Sequence, residues 1–440
     1  TESVLLQARV HHWRSASTLV SSKLAGLTKL KTNLIIVRGG RWNVYVRRAI
    51  REEFERALAM FPAVLLTGPR QSGKTTFLKE EFGQRFAYTS FDDPLERSFA
   101  REDPNGFLDR FVGEPVILDE LQYVPEILSY LKVRIDGERD QPGRWILTGS
   151  QQFQAMRNVS ESLAGRIAIF DLLPFSMVEH CPRGPGALDA VLWCGLYPEP
   201  ALHPERRDFW LKAYIETYVQ RDVRQLTNVR DLAVFESFLA TVAAHHGQEF
   251  NMAAVSKRCG VSMPTVKAWT GILEASYVVS LLRPYHRNFG KRVVKSPKLY
   301  FVDPAIAAYL TRQPGAEAAL AGAMGGALVE GLIVGETLKV LAAQGKCADA
   351  FHWRSHDGLE VDLIVQAAGA LLPVEIKRTA TPNPRHCKGL QRFKAMAGEA
   401  ASNTGWLVCR VPKARVLPHG NVAIPWHEFS HRLGRILKGI

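Results

Sequence analysis

The chain has 440 residues, of which 46% are hydrophobic and 22% charged, a composition typical of soluble globular proteins. Its length predicts about three domains. No apolar run approaches the roughly 18 residues that a membrane-spanning helix needs, so we expect no transmembrane helix and no membrane partner. The net charge of +13 favours a polyanion such as nucleic acid as a partner.

The cysteines are scattered and form no CxxC pair. Their spacing argues against a zinc ribbon and against a disulfide framework. Free thiols are typical of a reducing compartment, so we expect a cytoplasmic protein. The six positions are Cys181, Cys194, Cys259, Cys347, Cys387 and Cys409.

The first 50 residues are strongly basic, with nine lysines and arginines against one acidic residue, Glu2. The stretch is also rich in Ser and Thr, which is the composition of an organelle-targeting segment. The alternative, which we prefer, is a basic and weakly ordered extension over residues 1–44.

An apolar stretch from Ala63 to Leu66 runs into a glycine-containing turn and then into a helical pattern. The turn matches the phosphate-binding motif G-x-x-x-x-G-K-[ST] from Gly68 to Thr75. Its glycines let backbone N–H groups point inward, where they and the helix N-terminus cradle phosphates. We expect Lys74 to reach the β- and γ-phosphates of ATP and the Thr75 hydroxyl to bind Mg²⁺. The predicted nucleotide-binding residues are Gly68, Pro69, Arg70, Gln71, Ser72, Gly73, Lys74, Thr75, Thr76 and Asp119.

A second predicted strand, residues 116–118, ends in the carboxylates Asp119 and Glu120. The carboxyl ends of parallel strands border the crevice where ligands bind. We expect Asp119 to hold Mg²⁺ through water and Glu120 to orient and deprotonate the attacking water. A solvated acidic turn is the alternative.

A third predicted strand, WILTGS, ends in Thr148 and Ser150. We expect it between the first two strands, with Ser150 as the candidate sensor of the γ-phosphate. The following stretch, SLAGRIAIF, carries Arg166 after a turn of small residues. Arg166 is a candidate to stabilise charge on the transferring phosphoryl group, and an ion-paired surface arginine is the alternative.

Together these motifs resemble those of the AAA-superfamily ATP-binding proteins of bacteria and archaea; in this chain they read GPRQSGKT, VILDELQ, LTGSQ, LAGR and LPFS. The resemblance covers the chain from residue 45 to its end. In that family the ATPase is followed by a C-terminal domain of unknown function with a restriction-endonuclease-like core. The resemblance therefore implies ATP binding and a nuclease-like fold at the C-terminus.

Between these parts, apolar spacing of three to four residues predicts a helical connector. His245 and His246 would point about 100° apart on a helix, so we do not expect them to share a metal. The next stretch predicts a helix that ends at Gly260, a turn, a helix capped by Ser262 and a β-branched strand, which is a winged helix-turn-helix pattern. Its basic ribbon, residues 283–298, suits contact with nucleic-acid phosphates, and a protein–protein module is the alternative. The candidate contact residues are Lys257, Thr265, Lys267, Arg283, Arg287, Lys291, Arg292, Lys295 and Lys298.

Near the C-terminus, Glu375 and Lys377 interrupt the apolar stretch LLPVEIK at alternate positions and would lie on one face of a strand. An amphipathic helix with Glu330 and a strand with Asp362 precede them. This order is the PD-(D/E)xK nuclease pattern, which the family resemblance implies independently. The three acids would hold Mg²⁺ as hard oxygen ligands, and Lys377 would orient or deprotonate the attacking water.

The alternative for these charges is a nuclease-like fold that keeps them for ion pairing and binds nucleic acid without cutting. The following predicted helix carries Gln391 and Lys394, which would face a phosphate.

The sequence thus predicts an α/β protein with a P-loop ATPase core on a parallel sheet (45–178), a helical connector or lid (179–246), a winged helix (247–312) and a small endonuclease-like domain (325–440). We expect ATP and Mg²⁺ as cofactors, and nucleic acid, DNA in preference to RNA, as the partner. The expected function is an ATPase coupled to a nucleic-acid-binding domain that also cuts if Asp362, Glu375 and Lys377 are catalytic. The alternatives are a nucleotide-dependent regulatory switch with an inactive nuclease-like domain and a chain that binds ATP with little turnover. An arginine that acts in trans would require a homo-oligomer.

Overall fold

The computed structural model describes residues 33–38, 41–137, 141–149, 163–182, 187–219, 232–285, 296–346 and 349–439. The chain divides into two units, Thr1–Arg48 and Ala49–Ile440. In the first unit, β1 (Asn33–Arg38) and β2 (Arg41–Val46) form an antiparallel pair. These residues differ from the weakly ordered extension expected up to residue 44, because their runs of β-branched and aromatic residues favour strand pairing. Residues 1–32 of that predicted extension lie outside the described part.

The second unit begins with α1 (Arg51–Leu58), β3 (Ala63–Thr67), α2 (Lys74–Phe82), β4 (Ala87–Ser90), α3 (Pro94–Glu102), α4 (Pro104–Asp109), β5 (Val116–Asp119), α5 (Ile127–Gly137), β6 (Trp145–Thr148) and β7 (Ile167–Asp171). Its five strands form a parallel sheet in the order β4-β5-β6-β3-β7. Strands β3, β5 and β6 are buried throughout, as central strands covered by helices must be. Because β6 lies between β5 and β3, as predicted, their carboxyl ends meet at one edge of the sheet.

Within the described ranges the connector is helical, as its periodicity predicted; residues 183–186 and 220–231 of the predicted connector lie outside them. It contains α6 (Ala187–Cys194), α7 (Pro198–Leu202), α8 (Arg207–Ala213), a π-helical turn (Tyr214–Val219) and α9 (Leu232–Ala244). The two adjacent histidines that follow have separate partners. His245 Nδ1 bonds the Thr241 carbonyl at 2.8 Å, and the buried His246 accepts the Phe301 backbone N–H at 3.0 Å.

The segment predicted as a winged helix contains β8 (Gln248–Glu249), α10 (Met252–Cys259), α11 (Met263–Ala275), β9 (Val279–Pro284) and β10 (Lys298–Phe301). Gly260 ends α10 in the left-handed conformation, with φ of 67°. The Ser262 hydroxyl accepts the Thr265 backbone N–H at 3.2 Å and caps α11. Both predicted helix ends are therefore confirmed.

The remaining elements are α12 (Pro304–Leu310), α13 (Ala316–Ala321), α14 (Gly325–Ala343), β11 (Ala350–Arg354), β12 (Glu360–Ala367), β13 (Ala370–Ile376), α15 (Lys388–Ala397), β14 (Gly405–Cys409), β15 (Arg415–Leu417), β16 (Asn421–Pro425) and α16 (Phe429–Leu437). Within the described ranges, strands β8 to β16 form one sheet in the order β15-β16-β14-β13-β12-β11-β9-β10-β8. Parallel pairing of β9 with β11 joins the predicted winged helix to the predicted nuclease-like segment. The two segments, predicted as separate domains, therefore contribute strands to the same sheet.

Helix α14 is buried on nearly every side, so the amphipathic helix predicted around Glu330 is wrong. It packs against α12, α13 and α16, against β7 of the five-stranded sheet and against β10 of the nine-stranded sheet. A helix surrounded in this way needs apolar residues all round. None of the helices in the described ranges is long and apolar enough to cross a bilayer.

Candidate functional site

The loop between β3 and α2 has the backbone that its sequence predicted. Gly68 and Gly73 have φ of 132° and 93°, values that side chains rarely allow. A Cβ atom at Gly68 would lie 2.4 Å from the carbonyl oxygen of Leu172, so the close approach of two chain segments also requires glycine there. Helix α2 begins at Lys74, and its N-terminus therefore faces the loop.

Lys74 is buried inside this loop. Its Nζ donates hydrogen bonds of 3.0 Å to the carbonyl oxygens of Gly68 and Pro69. Burial lowers the pKa of Lys74 to about 8, and the carboxylates of Glu120 and Asp119 oppose that shift. The ammonium is thus held among backbone groups at the position that the phosphate-binding motif predicts.

The Asp119 carboxylate receives three hydroxyl groups. Its Oδ2 accepts hydrogen bonds from Thr75 at 2.9 Å and from Tyr88 at 2.8 Å, and its Oδ1 accepts one from Thr148. Burial and the Asp119 charge raise the pKa of Tyr88 far above its usual range, so this phenol stays a donor. The arrangement orients Asp119 toward Thr75, the pair predicted to hold Mg²⁺.

Glu120 has a φ of 61°, which is uncommon for a residue with a side chain. Its backbone N–H donates to the Thr148 hydroxyl at 3.1 Å, and its carboxylate accepts a hydrogen bond from Gln122. Burial raises the pKa of Glu120. A carboxyl group with a raised pKa beside a phosphate site suits a general base.

Other residues predicted for this site have different surroundings. Arg166 forms a two-point ion pair with Asp136, at 2.5 and 3.1 Å, which is the alternative that the sequence left open. Gln71 has a positive φ of 61° within the loop, and Thr76 is exposed on α2. Arg70 is half-buried and Ser72 buried in the same loop. Ser150, the candidate phosphate sensor, lies outside the described residues.

Sequence reasoning missed the roles of Tyr88 and Thr148. Thr148 ends the strand between β3 and β5, so its position was a usable signal once the strand order was known. Tyr88 lies on β4 beside β5, and only the strand register brings its hydroxyl to Asp119. Neither contact follows from spacing along the chain.

A polar contact links the base of the loop to the predicted winged helix. The Thr67 hydroxyl, directly before Gly68, lies 3.5 Å from Oδ1 of Asp171 on the neighbouring strand β7. The Tyr277 hydroxyl, from the turn between α11 and β9, hydrogen-bonds both Asp171 and Thr67. Burial raises the pKa of Asp171 and, with the Asp171 charge, that of Tyr277. We call Thr67, Asp171 and Tyr277 the loop-base triad.

In the C-terminal sheet, Asp362, Glu375 and Lys377 lie together. Lys377 Nζ is 2.6 Å from Glu375 and 3.3 Å from Asp362, and Asp362 also accepts the Ile376 backbone N–H at 2.8 Å. Glu375 Oε2 is buried and has no hydrogen-bond partner among the described residues. Burial, and next the Asp362 charge, raise the pKa of Glu375 to about 8. The predicted adjacency of these charges is confirmed.

Glu330 is bound to different groups. Its Oε1 accepts hydrogen bonds from Lys298 at 3.0 Å and from the Tyr300 hydroxyl at 2.5 Å. Burial, and next the Asp362 charge, raise the pKa of Glu330 to about 7. Lys298 also pairs with Glu360 and is buried, so the expectation that it rests on nucleic-acid phosphates is wrong.

The fit of this acidic cluster to Mg²⁺ is partial. Across the described ranges, no three or more His, Cys, Asp or Glu side chains are grouped closely enough to hold a metal together. Asp362 and Glu375 share Lys377, and one oxygen of Glu375 is unsatisfied, which suits an ion that is bound by one or two carboxylates and keeps several waters. The metal role predicted for Glu330 stays a prediction.

Of the other residues predicted to contact nucleic acid, some lie within the described ranges and some outside them. Lys257, Thr265 and Lys267 lie on α10 and α11, the predicted helix-turn-helix, and Arg283 is exposed at the end of β9. The remaining wing residues, Arg287, Lys291, Arg292 and Lys295, lie outside the described part of the chain. Gln391 is half-buried on α15. Lys394 donates to the carbonyls of Asn403 and His419 at 3.1 and 2.8 Å, so it braces α15 against two loops.

Comparison with known proteins identifies an AAA domain in the N-terminal half of the chain. Residues 60–181 match the family described as an AAA domain, residues 186–317 a domain of unknown function (DUF8612) and residues 325–429 a domain of unknown function (DUF4143). Among solved structures, the chain resembles the Walker-type ATPase PABY2304 of Pyrococcus abyssi, with a TM-score of 0.39 and 16% identity over 60% of this chain and 94% of that one. It also resembles protein VC1899 of Vibrio cholerae, with a TM-score of 0.21 and 11% identity over 86% and 97% of the two chains.

Two curated relatives are more similar in sequence. The uncharacterised proteins Rv2008c of Mycobacterium tuberculosis and Mb2031c of Mycobacterium bovis are each 32% identical over 345 residues, 77% of this chain and 75% of the relative. This chain belongs to the family of these mycobacterial proteins and carries an AAA-type P-loop ATPase domain.

Proposed function

We propose that this protein hydrolyses ATP at the loop around Lys74 and uses the nucleotide cycle to control nucleic-acid binding by its C-terminal half. The observation that carries the first part is the preassembled site. An ammonium lies inside a glycine loop at a helix N-terminus, and the Thr75 hydroxyl is hydrogen-bonded to Asp119.

Each residue has a separate task in this proposal. Lys74 exchanges its bonds to the Gly68 and Pro69 carbonyls for bonds to the β- and γ-phosphates. Thr75 and Asp119 would hold Mg²⁺, which when bound neutralises charge on the phosphates. Glu120 accepts the proton of the attacking water, and Thr148 fixes its backbone in the strained conformation that aims its carboxylate.

The loop-base triad supports coupling between the two halves. Thr67 directly precedes the phosphate loop, and Tyr277 directly precedes the strands that enter the C-terminal sheet. A shift of the loop on nucleotide binding would therefore change the contacts of a residue at the hinge between α11 and β9. We assign the helix-turn-helix and strands of residues 247–312 to a winged helix, and residues 325–440 to a nuclease-like domain.

A specific observation favours a second candidate, a nucleotide-dependent switch that binds nucleic acid without cutting it. Two lysines occupy the acidic cluster, Lys377 between Asp362 and Glu375, and Lys298 on Glu330. Ion pairs of this kind compensate buried carboxylates without a metal. The two candidates share the ATPase and differ only in cleavage.

The ATPase is tested by measuring phosphate release with and without single-stranded and duplex DNA. Lys74→Ala removes the group that binds the phosphates, and Glu120→Gln removes the base while keeping its shape. We expect the first variant to lose nucleotide affinity by about ten- to a hundredfold, the range of one charge-assisted hydrogen bond, and the second to bind ATP without turnover. Lys132→Ala on α5 is the matched control. Wild-type affinity and rate in Lys74→Ala would refute the site.

Cleavage is tested separately with Mg²⁺ and Mn²⁺ on single-stranded, duplex and branched DNA, comparing the wild type with Asp362→Asn. Metal-dependent cleavage that Asp362→Asn abolishes would select the nuclease. No cleavage on any substrate, together with nucleic-acid binding, would select the switch.

A further inference from the structure

A large cleft separates the ATPase domain from the far end of the C-terminal sheet. Its volume is about 1020 Å³. One wall comes from residues 177–182 and the start of α6, directly after the ATPase sheet. The other comes from residues 410–412 and from residues 426–435, which include most of α16. The cleft is distinct from the nucleotide loop and from the helix-turn-helix.

The C-terminal wall carries the exposed guanidinium groups of Arg410 and Arg435 and the imidazoles of His427 and His431. His427, His431 and Arg435 are exposed at intervals of four residues, so they form a row along one face of α16 and the turn before it. With a rise of 1.5 Å per residue the row is about 12 Å long. Arg410 extends it from the end of β14. Neither Arg410 nor Arg435 makes an ion pair within the part of the chain that the structure describes.

The acidic residues of the cleft do not cancel this charge. Glu428 is paired with Arg432, at 2.8 and 2.7 Å, so that pair is internally neutral. Asp189 is the remaining carboxylate and lies on the opposite wall. The guanidinium groups of Arg410 and Arg435 are therefore left for a ligand, and guanidinium is the side-chain group best matched to phosphate oxygens.

The buried carboxylate of Glu336 contacts both walls of the cleft. Glu336 of α14 has no solvent exposure, and its Oε2 accepts hydrogen bonds from the Met177 backbone N–H at 2.7 Å and from the Ser430 hydroxyl at 2.6 Å. Its Oε1 is 3.0 Å from Lys339, also buried. Because Met177 and Ser430 belong to opposite walls, the width of the cleft is built into the fold.

Part of the cleft wall and part of the acidic cluster lie at the same edge of the C-terminal sheet. Strands β13, β14 and β16 are parallel, and they end at Ile376, Cys409 and Pro425 on one edge of the sheet. Lys377 and Arg410 lie just beyond two of these ends, and the Arg410 backbone N–H bonds the Thr379 carbonyl at 2.9 Å. Ligands of such sheets bind at the carboxyl edge. A chain of phosphates on Arg410 would therefore pass beside Lys377.

From this geometry we propose that the cleft is the track for a single nucleic-acid strand, held through its phosphates by Arg410 and Arg435. The inference rests on the proposed nucleic-acid function and names the surface that performs it. Two separate guanidinium groups, those of Arg410 and Arg435, suit a series of phosphates better than a single one. Trp426 is buried, and the arginine contacts with phosphates that would carry the binding are electrostatic and independent of sequence.

The test is fluorescence anisotropy with a labelled 20-nucleotide single strand at several salt concentrations. The variant Arg410→Ala/Arg435→Ala removes two exposed charges from the cleft, and the control Lys132→Ala/Lys212→Ala removes two charges from α5 and α8, outside the cleft and outside the residues proposed to contact nucleic acid. We expect the cleft variant to bind at least about tenfold more weakly, and the slope of log affinity against log salt to fall by about 1.4, or 0.7 for each lost contact. The second variant should stay within about twofold of the wild type, and Arg410→Lys/Arg435→Lys should recover part of the loss.

The remaining outcomes are distinguishable. If the wild type binds the strand and the cleft variant binds equally well, the cleft is overturned and nucleic-acid binding stands. If the wild type binds no nucleic acid, the proposed function fails and the track with it. If inorganic pyrophosphate competes as strongly as unlabelled strand, the occupant is a small phosphorylated molecule, and the strand assignment is overturned.

Discussion

The hydroxyl of Thr75 donates a hydrogen bond of 2.9 Å to Oδ2 of Asp119, although the two residues lie 44 positions apart on different elements. One belongs to the first turn of α2 and the other to the end of β5. Their contact assembles the predicted metal pair, and it exists only because β5 and β3 both end at one edge of the sheet.

Nucleotide affinity should decrease above about pH 8. Burial lowers the pKa of Lys74 to about 8, so the free protein loses the ammonium as the pH rises through that value. ATP prefers the charged form, so affinity should fall by up to about tenfold per pH unit, the limit for one coupled proton. Titration of a fluorescent ATP analogue between pH 7.5 and 9.5 measures this.

Lys74→Arg is the control for that profile, because a guanidinium stays charged throughout the range. Its affinity should be lower but independent of pH. An equal decline in both proteins would mean that another group titrates.

Thr148→Val should reduce turnover more than binding. The variant keeps the volume of the side chain but removes the hydroxyl that donates to Asp119 and accepts the Glu120 N–H. We expect kcat to fall about tenfold, with nucleotide affinity within about twofold of the wild type, since one hydrogen bond to a charged group is worth about 1.5–3 kcal/mol. Steady-state ATPase kinetics and nucleotide titration separate the two effects.

Thr89→Val is the matched control on β4. It loses a hydrogen bond to Glu96 of 3.0 Å, away from Asp119. Equal losses of kcat in the two variants would indicate general damage to the sheet and contradict the role of Thr148.

Tyr277→Phe should uncouple the C-terminal half from the ATPase. It removes the hydroxyl that contacts Asp171 and Thr67 but preserves the ring. We expect the basal ATPase rate to stay within about twofold and stimulation by DNA to decrease severalfold, because a neutral hydrogen bond is worth about 1 kcal/mol. Tyr130→Phe, on the exposed side of α5, should behave as the wild type. Normal stimulation in Tyr277→Phe would exclude the triad as the link.

Glu375→Gln should stabilise the protein at alkaline pH. Burial, with the Asp362 charge, raises the pKa of Glu375 from 4.5 to about 8, so the folded state keeps a proton that the unfolded state releases. The free energy of unfolding therefore falls as the pH rises from about 4.5 to about 8, and glutamine imitates the protonated form without this loss. We expect a gain of at least about 1 kcal/mol at pH 8, since one pKa unit corresponds to about 1.4 kcal/mol.

Urea unfolding of both proteins at pH 5 and pH 8 measures that gain, with the exposed Glu399→Gln as control. The advantage of Glu375→Gln should disappear at pH 5, where the wild-type carboxyl group is protonated in the folded state. An advantage of equal size at both pH values would contradict the titration.

Features that depend on neighbouring residues in the chain could be predicted from the sequence. The glycines at 68 and 73 and the cap at Ser262 were predictable because each depends on residues a few positions away. Strand β6 was also predictable, because its apolar run ends in polar residues. Helix α14 was misread, since its environment is made by elements far away in the chain.

The charged residues of the C-terminal half show how far prediction from local spacing extends. The Glu-x-Lys spacing placed Glu375 beside Lys377, because alternate residues share a face of a strand. The same reasoning could not place Lys298, whose partner Glu330 lies 32 positions away on a helix. Nor could it find Tyr277 beneath the loop.

The sequence by itself determined the phosphate loop, the acidic strand end and the helix boundaries, because backbone conformation and side-chain alternation act over a few residues. Only the tertiary structure decided which groups distant in the sequence contact one another, such as the Tyr88 hydroxyl with Asp119, Lys298 with Glu330, and the Met177 backbone N–H with the Ser430 hydroxyl through Glu336. Those contacts depend on strand order and on the packing of α14 between two sheets, and neither is encoded in any single stretch of the chain.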